Sequence, residues 1–139
     1  MRLAVLGAGA WGSALATSFC GAHDVTLWAR RGADRLSRDR ESPYLPGERF
    51  PDALAIEGDL AVALRDADLA LVATATAGLR DTVLALEAAR PGIALLWACK
   101  GFETGTRRLP HEVVAEVRGE SAPCGALSGP SFALEVARG

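Results

Sequence analysis

A chain of 139 residues, half of them hydrophobic and 23% charged, carries enough apolar material for one globular domain with a buried core. Its formal net charge is −2 with acids and bases interspersed, which gives no general reason to expect nucleic acid or an anionic membrane as a partner. The sequence contains no run of eighteen apolar residues, so a membrane-spanning helix is not expected.

Met1 to Ala16 has the outline of a secretory signal: a basic residue, an apolar stretch and a tail of small residues. Gly7, Gly9 and Gly12 interrupt what would be its helical centre, and Arg2 is its single positive charge, so a leader is not expected. Cys20, Cys99 and Cys124 are odd in number and far apart, without a CxxC pair. They suit small core residues in a reducing compartment, which predicts a cytoplasmic protein with neither a disulfide frame nor a metal site.

Along the chain, apolar runs alternate with helical patterns. A first strand over Leu3 to Leu6 leads to a helix from Ala10 to Cys20, with Leu15 and Phe19 on one face and Gly21 as the stop. Val25 to Trp28 is the second strand, and the polar, basic segment Arg30 to Glu41 is compatible with a helix. Four proline and glycine residues make Ser42 to Asp52 a loop. A third strand near Leu54 to Ile56 precedes a helix carrying Leu60 and Leu64. Leu69 to Ala73 is the fourth strand, followed by a helix with Leu79, Val83 and Leu86 and a stop at Pro91-Gly92. Ile93 to Ala98 is the fifth strand, Leu109, Val113 and Val117 mark another helix closed by Gly119, and Cys124 to Leu127 is the sixth strand. This alternation predicts an α/β fold, a doubly wound parallel sheet of six or more strands.

Between the first strand and the small-residue helix stands Gly7-Ala8-Gly9-Ala10-Trp11-Gly12, a GxGxxG turn in the context that gives the pattern meaning. Gly7 permits the tight turn, Gly9 lets the backbone approach a pyrophosphate, and Gly12 lets helix pack on strand, the Rossmann arrangement for NAD(P). The helix start offers free N–H groups and a positive dipole end to an anion. An NAD site wants an acid at the tip of the second strand for the ribose 2′-OH. Here the tip reads Ala29-Arg30-Arg31, and two guanidinium groups suit a 2′-phosphate, so NADP(H) is preferred and NAD(H) remains admissible. The alternative is that both arginines are solvated surface.

Thr74 to Gly78, Lys100-Gly101 and Ser128 to Ser131 end strands four, five and six, so parallel strands would bring them to the edge that holds the glycine turn. Lys100 emerges at the rim of a buried strand, either as a site lysine or as a solvated one. Gly129-Pro130-Ser131 has the form of a helix start, able to bind a substrate phosphate or to serve as an ordinary cap.

The strings GAGAWGSALA, VTLWARR, YLPG, KGFE and SGPSFALEVARG, in order from residue 5 to residue 139, resemble bacterial glycerol-3-phosphate dehydrogenase [NAD(P)+]. The resemblance implies reduction of dihydroxyacetone phosphate to sn-glycerol 3-phosphate for phospholipid synthesis, by a Rossmann domain joined to a helical second domain. It implies that Ala10 and Trp11 contact NADPH at the glycine turn, that Arg30 and Arg31 meet its adenosine phosphate side, and that Tyr44 and Ala133 are further cofactor contacts. Lys100 would touch both cofactor and substrate, and Gly129 and Ser131 would bind substrate. The family's proton-donating lysine maps to no residue here, so residues 1–139 are expected to be the cofactor-binding domain, without a catalytic residue of their own and inactive alone. Phe132, Leu134 and Val136 would form the apolar face toward the helical domain. A homodimer is compatible with the resemblance; nucleic acid, a membrane span and a metal have no place in it. Two departures stand out: Ala75-Thr76 replaces a proline-serine type pair after the fourth strand, and Ser42 stands where an Asn is frequent nearby. The rival readings are a nucleotide-binding sensor without turnover and another NADP-dependent dehydrogenase acting on a hydroxy acid.

Overall fold

From Leu3 to Leu6 the first strand is apolar because both of its faces are covered. In the computed structural model, which describes residues 1–129 and 132–139, β1 (Arg2–Leu6) lies between β2 (Asp24–Trp28) and β4 (Leu69–Val72), and Leu6 pairs with both Trp28 and Val72. With β3 (Ala55–Glu57), β5 (Ala94–Trp97) and β6 (Cys124–Ala126) these form one six-stranded sheet in the order β3-β2-β1-β4-β5-β6, every neighbouring pair parallel. Alternate residues of each strand feed two cores, as the two-residue strand period requires. Ala4, Leu6, Ala70, Val72, Leu95 and Trp97 face one side, where α3 (Leu60–Leu64), α4 (Leu79–Ala89) and α5 (Pro110–Arg118) pack. Leu3, Val5, Val25, Leu27 and Leu71 face the other, covered by α1 (Ala10–Phe19), α2 (Ala33–Asp39) and α6 (Ala133–Arg138).

Several elements differ from their sequence-based bounds, each for a local reason. α2 starts at Ala33 because Gly32 adopts a left-handed conformation (φ 72°) that no helix continues through, which leaves Arg30 and Arg31 in the turn after β2. β3 begins one residue late, since the Leu54 N–H donates to Pro51 O at 3.0 Å within a turn. The loop over residues 42–52 is closed on itself: Glu41 and Arg49 form an antiparallel bridge, and Leu45 and Phe50 bury their side chains. α5 starts after Leu109, whose N–H donates to the Glu112 carboxylate at 2.8 Å across the first turn. The helix start expected at Gly129-Pro130-Ser131 falls partly on Pro130 and Ser131, which lie outside the described residues; the helix itself begins at Ala133. Phe132 and Leu134 are exposed as expected, but Val136 turns inward and packs against the α1 side of the sheet. Cys124 is exposed on the edge strand, in contrast to the core placement expected for it, while Cys20 and Cys99 are half-buried.

The far edge of the sheet is held by Arg118, whose side chain is almost fully buried. It donates to the Glu87 carboxylate at 2.6 Å and to Ile93 O at 2.6 Å, tying α5 to α4 and to the start of β5. Among the described residues no helix is long and apolar enough to cross a membrane.

Helix α1 meets the glycine turn with no room for a side chain at Gly12. A Cβ on Gly12 would stand 1.8 Å from Gly7 O, and Gly7 itself has φ 116°, a conformation that side chains disfavour. Gly12→Ala is therefore expected to cost roughly 2 kcal/mol or more, the upper part of the range for inserting a methyl where none fits. Urea denaturation followed by circular dichroism measures it; a loss within about 0.5 kcal/mol, the level of a neutral surface change, would show that the helix can lift from the turn without cost.

Candidate functional site

The strand order reverses between β1 and β4, so the connections leaving those two strands run to opposite faces and leave a crevice at the carboxyl edge. Two clefts occupy it. The first, of about 590 Å³, runs from Gly7 and Gly9 past Trp28, Arg30, Arg31 and Tyr44 to the wall formed by Thr74 to Thr82. The second, of about 400 Å³, is lined by Gly9, Ala10, Trp11, Ala75, Ala98 and Lys100. They share Gly9, Thr74 and Ala75, so one groove passes over the glycine turn from the β2 side to the β5 side.

At the centre of the groove lies the start of α1. The first helical hydrogen bond runs from the Ser13 N–H to Gly9 O at 2.9 Å, and no side chain caps the helix. The N–H groups of Ala10, Trp11 and Gly12 precede it and have no intrahelical acceptor, leaving donors and a positive dipole end for an anion. The three glycines serve different ends. Gly7 and Gly12 are demanded by the fold, as described above. Gly9 has φ −73° and ψ −175°, an extended conformation open to any residue, and a Cβ there would meet nothing within 4 Å. The fold has no use for a glycine at this position. A side chain would instead project into the space above the helix start, which a polyanionic ligand would fill.

On the β2 side, Arg30 and Arg31 are exposed and line the first cleft. Their neighbours Arg35 and Arg38 pair with Asp39, whereas Arg30 and Arg31 form no ion pair among the described residues. Trp28 is pinned by its indole N–H, which donates to Gly58 O at 3.1 Å. Beyond it, a recess of about 540 Å³ extends the cleft between Arg30, Asp59 and Asp81. Tyr44 is exposed on a turn that is held by its own N–H donating to Ser42 Oγ at 3.3 Å.

On the β5 side, Lys100 is exposed and its Nζ donates to Gly129 O at 3.2 Å, so two of the expected substrate contacts meet. Its own carbonyl accepts the Thr76 hydroxyl at 2.6 Å. Burial pushes the neighbouring Cys99 thiol up, which keeps it protonated near neutral pH. Gly12, Gly129 and Ala133 are not among the described residues lining either cleft; Ala133 sits at the start of α6, which packs on α1. Ser131 lies outside the described residues. Among the described residues no group of histidine, cysteine and carboxylate side chains could hold a metal.

Several lining residues carried no signal of their own in the sequence. Asp81 and Thr82 reach the cleft because the first turn of α4 follows β4 across the crevice. Their position in the turn after an apolar strand was the available cue. The partner of Glu103 was not readable at all. Its carboxylate takes both Arg80 Nε, at 2.8 Å, and Arg80 Nη2, at 2.9 Å, and also accepts the Thr106 hydroxyl at 2.5 Å. Arg80 further donates to Glu116 at 2.7 Å.

A glycine turn opening an uncapped helix at the switch point of a parallel 3-2-1-4-5-6 sheet defines a dinucleotide-binding domain of the Rossmann class. Within that class the match is specific: the family model for the N-terminus of NAD-dependent glycerol-3-phosphate dehydrogenase spans residues 2–139, and the chain belongs to that family. It is 55% identical to the glycerol-3-phosphate dehydrogenase [NAD(P)+] of Aromatoleum aromaticum, covering 99% of this chain and 43% of that protein. It is 53% identical to the enzyme of the same name from Dechloromonas aromatica, covering 100% of this chain and 43% of that protein. The crystal structure of glycerol-3-phosphate dehydrogenase from Coxiella burnetii superposes with a TM-score of 0.90 at 32% identity, over 99% of this chain and 43% of that one. The chain thus spans less than half the length of these relatives. The family to which the five sequence motifs pointed is the one that the whole chain matches.

The Arg80 guanidinium, with help from Thr106, holds the Glu103 carboxyl down to about 2, below its ordinary 4.5. The unfolded chain therefore binds the extra proton first, and the stability this group contributes is complete above pH 4.5 and lost as the pH falls through about 2. Glu103→Gln is expected to lower Tm by a constant amount above about pH 5, with the gap to the parent closing between pH 4 and pH 2. Thermal melts across that range check it; a gap that stays constant down to pH 2 would remove the ion pair as its cause.

Proposed function

We propose that this chain is the cofactor-binding part of an enzyme that reduces dihydroxyacetone phosphate to sn-glycerol 3-phosphate for phospholipid synthesis, with NADPH preferred to NADH. The observation that carries the reading is Gly9, a glycine that the fold does not need at a point where a dinucleotide pyrophosphate needs room. The family relationship and the names of the relatives support the substrate. Bound NADPH supplies the hydride; the residues of this chain bind and orient. The Ala10 and Trp11 N–H groups hold the pyrophosphate, and Arg30 and Arg31 grip the 2′-phosphate with charge-assisted bonds. Tyr44 and Ala133 add cofactor contacts. The Lys100 ammonium stabilises the carbonyl oxygen where negative charge develops, and Gly129 and Ser131 bind the substrate. The proton donor belongs to the part of the relatives that this chain does not span. A cytoplasmic homodimer completes the proposal.

The isolated chain should bind NADPH more tightly than NADH. Replacing both Arg30 and Arg31 by alanine should remove most of that preference, with about 1.5–3 kcal/mol lost per charge-assisted contact as an upper guide. Gly9→Val should abolish binding of either cofactor while the far-ultraviolet spectrum stays unchanged. Calorimetry decides both points, and equal affinity for the two cofactors in the parent chain would sink the NADP assignment.

Turnover is expected to separate the parts. With one side of the substrate held and its reacting carbon unoriented, on the order of 7–11 kcal/mol of barrier lowering is forfeited. The 139-residue chain should therefore oxidise no measurable NADPH with dihydroxyacetone phosphate, even at high protein concentration. Robust turnover that disappears with Lys100→Ala would place the whole chemistry in this chain and overturn the division proposed.

A further inference from the structure

Lys100 is the only lysine in a chain that has fourteen arginines, so it is the sole side-chain primary amine. Its loop is hinged by two glycines with positive φ, Gly101 at 96° and Gly105 at 92°, a composition that by itself would let the segment swing. Besides the Lys100 ammonium, which donates to Gly129 O, two attachments oppose this, and both of these come from the segment that follows β4. The Thr76 hydroxyl, on a short 3-10 turn over Thr76–Gly78, donates to the Lys100 carbonyl at 2.6 Å. Arg80, in the first turn of α4, takes Glu103 in a two-pronged grip at 2.8 and 2.9 Å, and the Glu103 side chain is only 12% exposed. Between Glu103 and Arg108 the loop is closed by backbone bonds in both directions: Glu103 N–H to Arg108 O at 2.8 Å, and Arg107 N–H to Glu103 O at 2.9 Å.

From this geometry we propose that Thr76 and the Arg80–Glu103 pair are positioning residues for Lys100, joining the backbone that carries it and the cofactor-cleft wall into one unit. The proposal rests on the reading of this edge as the reaction site. The wall is the same stretch of chain: Ala75, Ala77, Gly78 and Asp81 line the first cleft, and Thr76 and Arg80 interleave with them. A ligand that settles against the wall therefore meets a lysine whose backbone is already placed, and only the side chain's own rotamers remain to be ordered. Neither Thr76 nor Glu103 needs to touch a ligand for this. The Arg80–Glu116 bond is the one that joins α4 to α5, whereas Glu103 belongs to the lysine's own loop and the Thr76 bond reaches the lysine's main chain.

The test uses the sole lysine as a probe. Reductive methylation with ¹³C-formaldehyde labels two amines, Lys100 and the Met1 α-amine, which are told apart because Lys100→Arg removes one of the two signals. In the parent chain the Lys100 signal should differ from that of a free lysine and move on addition of NADPH. In Thr76→Val and in Glu103→Gln it should narrow toward the free-lysine position, with the NADPH-induced shift cut at least by half and the Met1 signal unchanged. Thr76→Ser, which keeps the hydroxyl, should restore the parent signal. Thermal melts confirm that each variant is folded; a purely structural role would lower Tm and leave the Lys100 signal where it was. An unaltered Lys100 signal in both folded variants overturns the proposal. Absence of any NADPH response in the parent would instead defeat the dinucleotide reading, while the ligand-free spectra still decide whether the lysine is held.

Discussion

Everything at the carboxyl edge depends on how closely α1 approaches the turn that follows β1. With no side chain at Gly12, the first turn of the helix rests on the Gly7 carbonyl. A single methyl there would force the helix away from the centre of the sheet. The consequences would spread beyond the contact itself. Gly7 also abuts the backbone of Ala73 and the side chain of Thr74, which end β4, so the glycine turn, the helix start and the β4 end are packed as one piece. The two clefts meet at that piece. Close packing of small groups is thus what keeps the groove continuous and its floor rigid.

The arginines show how the chain separates structural charge from available charge. Arg118 is buried against Glu87 and a backbone carbonyl, Arg80 is engaged by two carboxylates, and Arg90 donates to Leu64 O at 2.9 Å. Each ties one element to another. Arg30 and Arg31 do neither: they follow the β2 tip in a turn set by Gly32 and face the first cleft. An exposed ion pair would have contributed little to stability in any case, so leaving these two uncommitted costs the fold almost nothing. They remain available to a ligand phosphate, where a charge-assisted bond in a partly enclosed cleft is stronger.

On the opposite side of the groove, order comes from one hydrogen bond to the main chain and one ion pair. The loop that carries Lys100 contains glycines that add freedom, and Thr76 and Glu103 remove it again. Within the Ala75-Thr76 pair it is the threonine hydroxyl that reaches the Lys100 carbonyl, a group that the serine of a proline-serine pair carries as well.

The strands, most of the helices and the glycine turn were legible in the sequence because each depends on local pattern. Buried strands read as continuous apolar runs, helices as faces repeating every three or four residues, and a GxGxxG turn as strand, glycines and helix in succession. The convergence of the glycine turn, the segment after β4 and Lys100 also followed, once the strands were taken as parallel. What local pattern could not decide was any matter that hangs on a distant partner. Val136 turns inward because α1 offers it apolar surface. Glu103 finds Arg80, and Thr76 finds the Lys100 carbonyl, only after β4 and β5 have been laid side by side. Which glycine serves the fold and which leaves room above the helix could be judged only from the atoms around each one. By itself the sequence determined the elements, their order and the identity of the edge residues, because those follow from short-range sterics and hydrophobic period. The tertiary structure alone decided which charges are committed and how the lysine is held, because those are contacts between residues that the chain brings together only by folding.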